Sequence, residues 1–590
     1  MPLPSSFVRG VHDCVARFPL LHDARAAPLA YGTAGFRTTG SLLPAVAARV
    51  AFVVVLRVWW AVGNTAAPAG CAVGCMITAS HNPAADNGLK LVDVDGGMLA
   101  ASWEGICTAA ANAATGEELL KALEDWATTN NICPPTGEAV AVRCPFGAAQ
   151  LARDTRPSGV DILRALVASL EAAAVPFADH GTAPTPLLHY MVQRANRPST
   201  VAEVPRPSNF GPALYRHDVL SALAALLHAV VPPSQGKRKR QKVVVDAANG
   251  VGTLGMKAFL RAAQELPSNP LEEFFDIVLL HDDVDSVDDL NHMCGADFTQ
   301  KTRSPSADMK RWAAVHREQD EEEEVHYYTL DGDADRVVAF LHDSAVGDVW
   351  HLLDGDRMLI LYALALRHWL GECVLHSLDV GAVQTAYANG ASTDYLQHRL
   401  GLRVYTTATG VKHLHPIAHQ RDIGVYFEAN GHGTVLFNCE AIASKLSAAV
   451  DPQARAVLEF LPVLLSQVCG DGIADLFACE LVLLALRMSF RAWYQLYTDL
   501  PSLQSKVAVS NPKVVTNTPD ERRALSPPGL QDAIDAAVAA ASAAPHSAAR
   551  AFVRPSGTEP IVRVYAEASD AAACKKLGDV VEGLVRRYCE

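Results

Sequence analysis

Val243-Val244-Val245-Asp246-Ala247-Ala248-Asn249-Gly250 reads as an apolar β-branched strand running into a turn. Working outward, runs of this kind alternate with alanine- and leucine-rich stretches of helical type. Residues 353–370 are expected to be a helix and residues 374–380 a strand. The alternation argues α/β units with largely parallel sheets. Its recurrence along the chain implies several similar domains rather than one large sheet, although no short repeat is visible.

The 590 residues are 50% hydrophobic and 19% charged, which is a globular composition. Such a length corresponds to roughly three to five domains of about 100–200 residues. The formal charge of -14 disfavours nucleic acid and anionic membranes as partners, since both call for a basic surface. An anionic small molecule can still bind where arginines face a cleft. The 13 cysteines are scattered, and only Cys71 and Cys75 stand close together without a second metal-ligand pair. They read as buried reduced thiols, Cys373 and Cys479 among them, in a cytoplasmic protein. Residues 46–62 are strongly apolar, but Arg49 and Arg57 interrupt them, so a buried helix is expected rather than a membrane span. No signal peptide is recognisable at the N-terminus. Two charge runs, beginning at Lys237 and Glu321, read as loops, and the alanine-rich residues 536–549 as helical in their first half, with Pro545 ending the helix.

Four motifs carry chemistry. Thr78-Ala79-Ser80-His81-Asn82-Pro83 lies between the apolar Cys75-Met76-Ile77 and Leu89-Lys90-Leu91-Val92. Pro83 favours extended geometry at Asn82 and a turn there. The turn is expected to hold the Ser80 hydroxyl out in a cleft. A serine is a weak nucleophile until a base, a metal or a covalent modification activates it, and taken alone this one is an ordinary loop residue.

Asp331-Gly332-Asp333-Ala334-Asp335-Arg336 follows the strand expected at 325–330. Carboxylates at i, i+2 and i+4 share one side of an extended segment. Three hard oxygen ligands suit Mg²⁺, and Arg336 offsets part of their charge. An EF-hand loop is excluded, because Arg336 and His342 stand where that loop needs Gly and Glu. A solvated acidic turn and an aspartyl-phosphatase site, with Asp331 as nucleophile, are the competing readings.

Arg554-Pro555-Ser556-Gly557-Thr558-Glu559 follows the strand expected at 551–553. A glycine-centred loop can aim backbone N–H groups at an anion. Arg554, and Arg563 on the next strand, can make forked bonds to phosphate. Glu428-Ala429-Asn430-Gly431-His432-Gly433 follows Val425-Tyr426-Phe427. Its carboxylate and amide suit vicinal sugar hydroxyls, and a plain β-turn tipped by Asn430-Gly431 is the alternative.

In this order the four motifs resemble the α-D-phosphohexomutase superfamily across essentially the whole chain. Tyr31-Gly32-Thr33-Ala34-Gly35-Phe36-Arg37 looks like that family's N-terminal active-site segment. Within the superfamily the strings Phe427 to Gly433, Thr409-Gly410-Val411-Lys412-His413-Leu414-His415 and Pro527-Pro528-Gly529-Leu530-Gln531 resemble the eukaryotic phosphoacetylglucosamine mutase branch. Pro560 departs from it, standing where that branch more often has an acidic residue.

The resemblance implies a four-domain architecture, three mixed α/β domains plus a C-terminal α+β lid domain, around a central cleft. The expected division is residues 1–218 with the phosphoserine loop, 219–342 with the Mg²⁺ loop, 343–495 with the sugar loop and 496–590 with the phosphate loop. It implies interconversion of N-acetylglucosamine 6-phosphate and 1-phosphate, towards UDP-N-acetylglucosamine, through a bisphosphorylated sugar. Phosphorylated Ser80 is the implied phosphoryl carrier. One Mg²⁺ per site is held by Ser80 (through its phosphate), Asp331, Asp333 and Asp335. The substrate contacts are Glu428, Ala429, Asn430, Arg554, Pro555, Ser556, Gly557, Thr558 and Arg563. Lys90 is the first choice for general acid/base, through a pKa lowered by desolvation, with His81 as the other candidate. Arg37 is expected at the phosphoserine. The implied partner is a small hexosamine phosphate, and a monomer in the cytoplasm is expected. A phosphoglucomutase or phosphomannomutase, and an inactive sugar-phosphate-binding paralogue, are the alternatives.

Overall fold

In the computed structural model the described residues are 3–21, 27–64, 70–197, 210–233, 239–316, 324–344, 347–446, 450–542, 548–556 and 559–589. They divide into two compact units, Met1–Leu352 with Glu459–Leu481, and Leu353–Leu458 with Val482–Glu590.

The first unit holds two five-stranded sheets. Strands β1 (Phe36–Thr39), β2 (Val73–Ile77), β3 (Asp86–Val92), β4 (Ala149–Arg153) and β5 (Phe177–Thr182) lie in the order β1-β3-β2-β4-β5. β2, β4 and β5 run parallel, while β3 is antiparallel to both β1 and β2. The second sheet comprises β6 (Gln241–Asp246), β7 (Phe275–Leu280), β8 (His326–Leu330), β9 (Val337–Asp343) and β10 (Val349–Leu353), ordered β10-β9-β8-β6-β7. β6 is parallel to both neighbours, and β8 and β9 form an antiparallel pair. The opening stretch is therefore a central strand, with Val243, Val244 and Val245 fully buried. Its turn is tied by Asp246 Oδ1, which accepts from Ala248 N at 2.9 Å, and Ala248 and Asn249 take left-handed φ of 55° and 51°.

The second unit holds a four-stranded sheet, β11 (Val380–Thr385), β12 (Arg403–Thr407), β13 (Ile423–Phe427) and β14 (Gly433–Phe437), in the order β12-β11-β13-β14. Its C-terminal part is an antiparallel sheet. Strands β15 (Ser502–Ala508), β18 (Ala549–Pro555) and β19 (Ile561–Ala568) lie in the order β15-β19-β18, beside a small hairpin of β16 (Thr516–Asn517) and β17 (Ala524–Ser526). Helices Leu530–Ala541 and Ala571–Cys589 cover it through Ile534, Leu577, Val581 and Val585. Three mixed α/β sheets and one α+β layer are the architecture the resemblance implied.

Several local expectations are corrected. The sheets are mixed rather than largely parallel, because each parallel core gains antiparallel edge strands. Residues 374–377 are helical: helix Gly355–Ser377 breaks at Gly371 (φ 69°, ψ 163°), resumes, and the strand begins only at Val380. Four residues, Val374-Leu375-His376-Ser377, carry too little periodicity to separate strand from helix. Helix Leu530–Ala541 ends before Pro545, which lies outside the described residues, as do Lys237, Arg238 and Glu321 to Glu323.

Helix Leu43–Gly63 is long and apolar enough to cross a membrane, yet 83% of its apolar window is buried among protein. Both arginines on it are internal. Arg49 donates to the carbonyls of Ala113, Phe18 and Ala45. Arg57 pairs with Asp93 at 2.6 Å and stacks over Trp60 and Trp103. Helix Gly355–Ser377 passes the same length and composition test and is 56% buried.

The cysteines differ from expectation. Cys71 and Cys144 are bridged, with Cα atoms 5.8 Å apart, because β2 and β4 are adjacent parallel strands that bring positions 73 apart together. Cys373, Cys133 and Cys439 are exposed rather than buried, while Cys479 is buried.

Candidate active site

The four motifs sit at carboxyl ends of strands, where open α/β sheets place ligands. The Ser80 turn follows β2, the aspartate loop follows β8, the Glu428 loop follows β13, and Arg554 stands near the end of β18.

Within the first unit the serine and aspartate loops are in contact. Ser80 is not held out at a loop tip. It is buried, takes φ 54°, and its Oγ donates to Asp331 Oδ2 at 2.8 Å. A non-glycine residue in that conformation is strained and persists where its surroundings over-determine it. Here the Ser80 carbonyl accepts from Arg156 Nη2 at 3.1 Å and from Asn291 Nδ2 at 2.9 Å. The same two donors reach the Asn82 carbonyl. Gly332 is required by this approach, since a Cβ there would stand 2.6 Å from the Ser80 carbonyl oxygen. The opening stretch backs the same loop: Val251 N donates to the Gly332 carbonyl, and a Cβ on Gly250 would lie 2.5 Å from that oxygen.

The aspartates do not lie on an extended segment. Residues 331–336 form the connection between antiparallel β8 and β9, with Ala334 at φ 58°. This curled loop brings carboxylate oxygens of Asp331, Asp333 and Asp335 within 4.8 Å of one another, all buried. Asp331 Oδ1 and Asp333 Oδ1 accept no hydrogen bond. Buried carboxylate oxygens without donors, converging on one point, fit a hard divalent cation such as Mg²⁺. Burial and the neighbouring Asp335 and Asp333 hold the Asp331 carboxyl well above its usual range. Burial also pushes Asp333 upward, but Lys90 and Thr185 outweigh it and hold that carboxyl low. Thr185 Oγ1 donates to Asp333 Oδ2 at 2.8 Å.

Lys90, on β3, reaches Asp333 at 3.1 Å and Asp335 at 3.4 Å. Its pKa is not lowered as expected: burial pulls it down, but Asp333 and Asp335 raise it above the ordinary lysine value. Arg37 pairs in register with Gly88, so it shares the sheet face of Lys90. Burial and then Arg336 lower its pKa, and all three aspartates act on it. His81 lies between Arg336 (Nδ1 to Nη1, 3.2 Å) and Asp297 (3.8 Å). Burial and then Arg336 press its pKa down to about 3, so it is neutral at physiological pH.

In the second unit, residues 428–432 form a tight hairpin turn. Glu428 N donates to His432 O at 2.9 Å, and Gly431 takes φ 83°. The β-turn of the alternative reading is present, and it sets Asn430 Nδ2 3.5 Å from Glu428 Oε2. Glu428, Ala429 and Asn430 are half-buried, and Glu428 Oε1 accepts from Gly410 N at 2.9 Å.

Arg554 and Pro555 belong to β18 itself rather than to a following loop. Register pairs Arg554 with Arg563 and Arg563 with Lys506, giving three cations in a row across the sheet. Like charges directly opposite repel, so the row favours an anion. Glu559 meets Lys506 and Arg563, and Arg554 Nε donates to Glu521 Oε1 at 2.8 Å. Ser556 N is tied to Ile561 O at 3.0 Å, while Gly557 and Thr558 lie outside the described residues.

Sequence reasoning missed Arg156, Asn291 and Thr185 in the first unit, and Lys506, Tyr387 and Glu521 in the second. Only Arg156 carried a signal, as part of Asp154-Thr155-Arg156 after a strand.

Residues 354–488 match the family Phosphoacetylglucosamine mutase AMG1, domain III. Residues 506–583 match the C-terminal domain of the phosphoglucomutase/phosphomannomutase family, and residues 58–116 its α/β/α domain I. A phosphoacetylglucosamine mutase 1 of Schizosaccharomyces pombe is 38% identical over 563 residues, 94% of this chain and 98% of that protein. The chain belongs to the phosphoacetylglucosamine mutase family. The human phosphoacetylglucosamine mutase is 36% identical, covering 94% of this chain and 93% of its own. Among solved structures, Aspergillus fumigatus N-acetylphosphoglucosamine mutase in complex with GlcNAc-6P and magnesium is 33% identical with a TM-score of 0.83, over 100% of both chains.

Proposed function

We propose that this chain interconverts N-acetylglucosamine 6-phosphate and N-acetylglucosamine 1-phosphate, with Ser80 carrying the transferred phosphoryl group. The observation that carries this reading is the buried, strained Ser80 with its hydroxyl on Asp331, inside a cluster of three carboxylates. Family membership and the substrate of the Aspergillus neighbour support it.

In the first half-reaction the free sugar hydroxyl attacks the phosphorus of phosphorylated Ser80. A new P–O bond to the sugar oxygen forms, the bond to Ser80 Oγ breaks, and the proton given up by the attacking hydroxyl is balanced by the one that the departing Ser80 Oγ takes up to become a hydroxyl again. The bisphosphorylated sugar then returns its other phosphate to Ser80 Oγ. Asp331, Asp333 and Asp335, with an oxygen of the phosphoserine, would hold one Mg²⁺. When bound, the ion supplies charge neutralisation for the transferring phosphoryl group.

The chain's own residues divide the remaining work. Arg37 and Lys90 bring positive charge to the phosphoserine loop, and Lys90, held on Asp333 and Asp335 with a raised pKa, acts as a charge partner rather than as a neutral base. His81, neutral, orients Arg336. Glu428, Ala429 and Asn430 take the sugar. Arg554, Pro555, Ser556, Gly557, Thr558 and Arg563 take the distal phosphate, which is positioning catalysis. The division at 1–218, 219–342, 343–495 and 496–590, a monomeric state, a cytoplasmic location and the lack of nucleic-acid or membrane partners belong to the same proposal. Assay of the purified protein on N-acetylglucosamine 1-phosphate beside glucose 1-phosphate and mannose 1-phosphate tests it. Preference for the acetylated sugar is expected, and equal or greater turnover of glucose 1-phosphate contradicts the substrate.

A further inference from the structure

Glu521 stands at the tip of the β16–β17 hairpin in a conformation its residue type disfavours, with φ 60°. The hairpin is tied internally, with Thr518 N donating to Arg523 O at 2.9 Å and Thr518 Oγ1 to Asp520. It is also clipped to β18 one residue before Arg554, where Asn517 Nδ2 donates to Val553 O at 2.7 Å. The fold thus brings Glu521 to Arg554 and spends backbone strain to do so.

Each carboxylate oxygen of Glu521 has its own task. Oε1 accepts from Arg554 Nε at 2.8 Å. Oε2 accepts from Thr409 Oγ1 at 2.7 Å and from Thr409 N at 3.1 Å. Thr409 is followed by Gly410, whose N–H is donated to Glu428 of the sugar turn. One side chain therefore joins the arginine of the phosphate grip to the segment that fixes the sugar carboxylate. Engagement of Nε, rather than of the terminal nitrogens, orients the guanidinium and leaves its Nη1–Nη2 fork for a phosphate. The buried Tyr387 hydroxyl lies within electrostatic reach of Arg554, Arg563 and Glu521, on the same spot.

We infer that Glu521 is a positioning residue for the sugar-phosphate reaction: it aims Arg554 at the distal phosphate and couples that grip to the Thr409–Glu428 sugar segment. The inference rests on the reading that Arg554 holds the substrate phosphate.

The distal phosphate is held alike in ground and transition states, so loss of its alignment raises KM with little change in kcat. Glu521→Ala is expected to raise KM for N-acetylglucosamine 1-phosphate about tenfold, with kcat within about threefold. Glu521→Gln keeps an acceptor for Arg554 but turns an amide donor on Thr409, so its KM is expected to lie between the two. The effect must be clearly smaller in an Arg554→Ala background, where there is no guanidinium to aim and only the Thr409 contact remains to be lost. A parent-like KM in Glu521→Ala and Glu521→Gln, or full additivity with Arg554→Ala, overturns the inference. A parent-like KM in Arg554→Ala itself overturns the underlying phosphate assignment instead. Should Glu521→Ala misfold, Glu521→Gln and Thr409→Val carry the same comparison.

Discussion

Ser80 Oγ donates to Asp331 Oδ2 at 2.8 Å across 251 positions of sequence. The contact exists because a turn after β2 and a curled connection after β8 meet at Gly332, where no side chain intervenes. Ser80→Ala removes the hydroxyl without changing that backbone. Turnover is expected to fall to background, while N-acetylglucosamine 6-phosphate still binds by calorimetry with an affinity within a few-fold of the parent. Normal turnover in this variant refutes the covalent role.

Asp333 is the carboxylate tied to both Lys90 and Thr185. Asp333→Asn retains the shape and removes the charge. A loss of kcat of at least about 100-fold is expected, since even supporting partners of metal ligands are worth tens-fold. Chelation of the parent should abolish activity and Mg²⁺ should restore it. Full activity after exhaustive chelation rules out the assignment of the three aspartates.

His326 and Glu480 make a buried pair 2.8 Å apart, with Tyr328 donating to the same carboxylate at 2.7 Å. Burial pulls the imidazole pKa down, but Glu480 and Glu324 raise it to about 9. The folded value lies above the unfolded one, so the contribution is complete below the unfolded pKa of about 6.5 and is lost as pH climbs through about 9. The parent should therefore lose more unfolding free energy over that window than His326→Gln does. Parallel pH curves for the two proteins would show that the pair does not carry the linkage.

Arg57 and Asp93 are both nearly buried, with side-chain exposures of 7% and 6%. Asp93 also accepts from Val94 N and Ala100 N. Asp93→Ala strands a cation among Trp60 and Trp103. A loss of about 3–5 kcal/mol in denaturant unfolding is expected, against a far smaller loss if the arginine escapes to water.

What the sequence revealed, and what it hid, follows from the range of each interaction. Val243 to Gly250 announced its strand and turn because burial and turn chemistry are local. The aspartate triplet was visible as a ligand set, but its geometry was misjudged: ligands converge through the left-handed Ala334 rather than along a pleat. Residues 374–377 were too few to show helical period. Lys90 lies ten residues after Ser80, yet its pKa direction depends on two aspartates more than 240 positions away. Asn291, Thr185 and Glu521 could not be found at all, since each matters only through a partner brought near by folding. The cation row Lys506–Arg563–Arg554 likewise exists only in the register of three strands.

Peptide mass spectrometry of the purified protein, after incubation with a hexose 1,6-bisphosphate and quenching, tests the central claim most directly. One phosphoryl group on the peptide containing Ser80, absent from Ser80→Ala and discharged by addition of sugar monophosphate, is the predicted result. An active protein whose Ser80 peptide stays unmodified under every turnover condition would contradict the account.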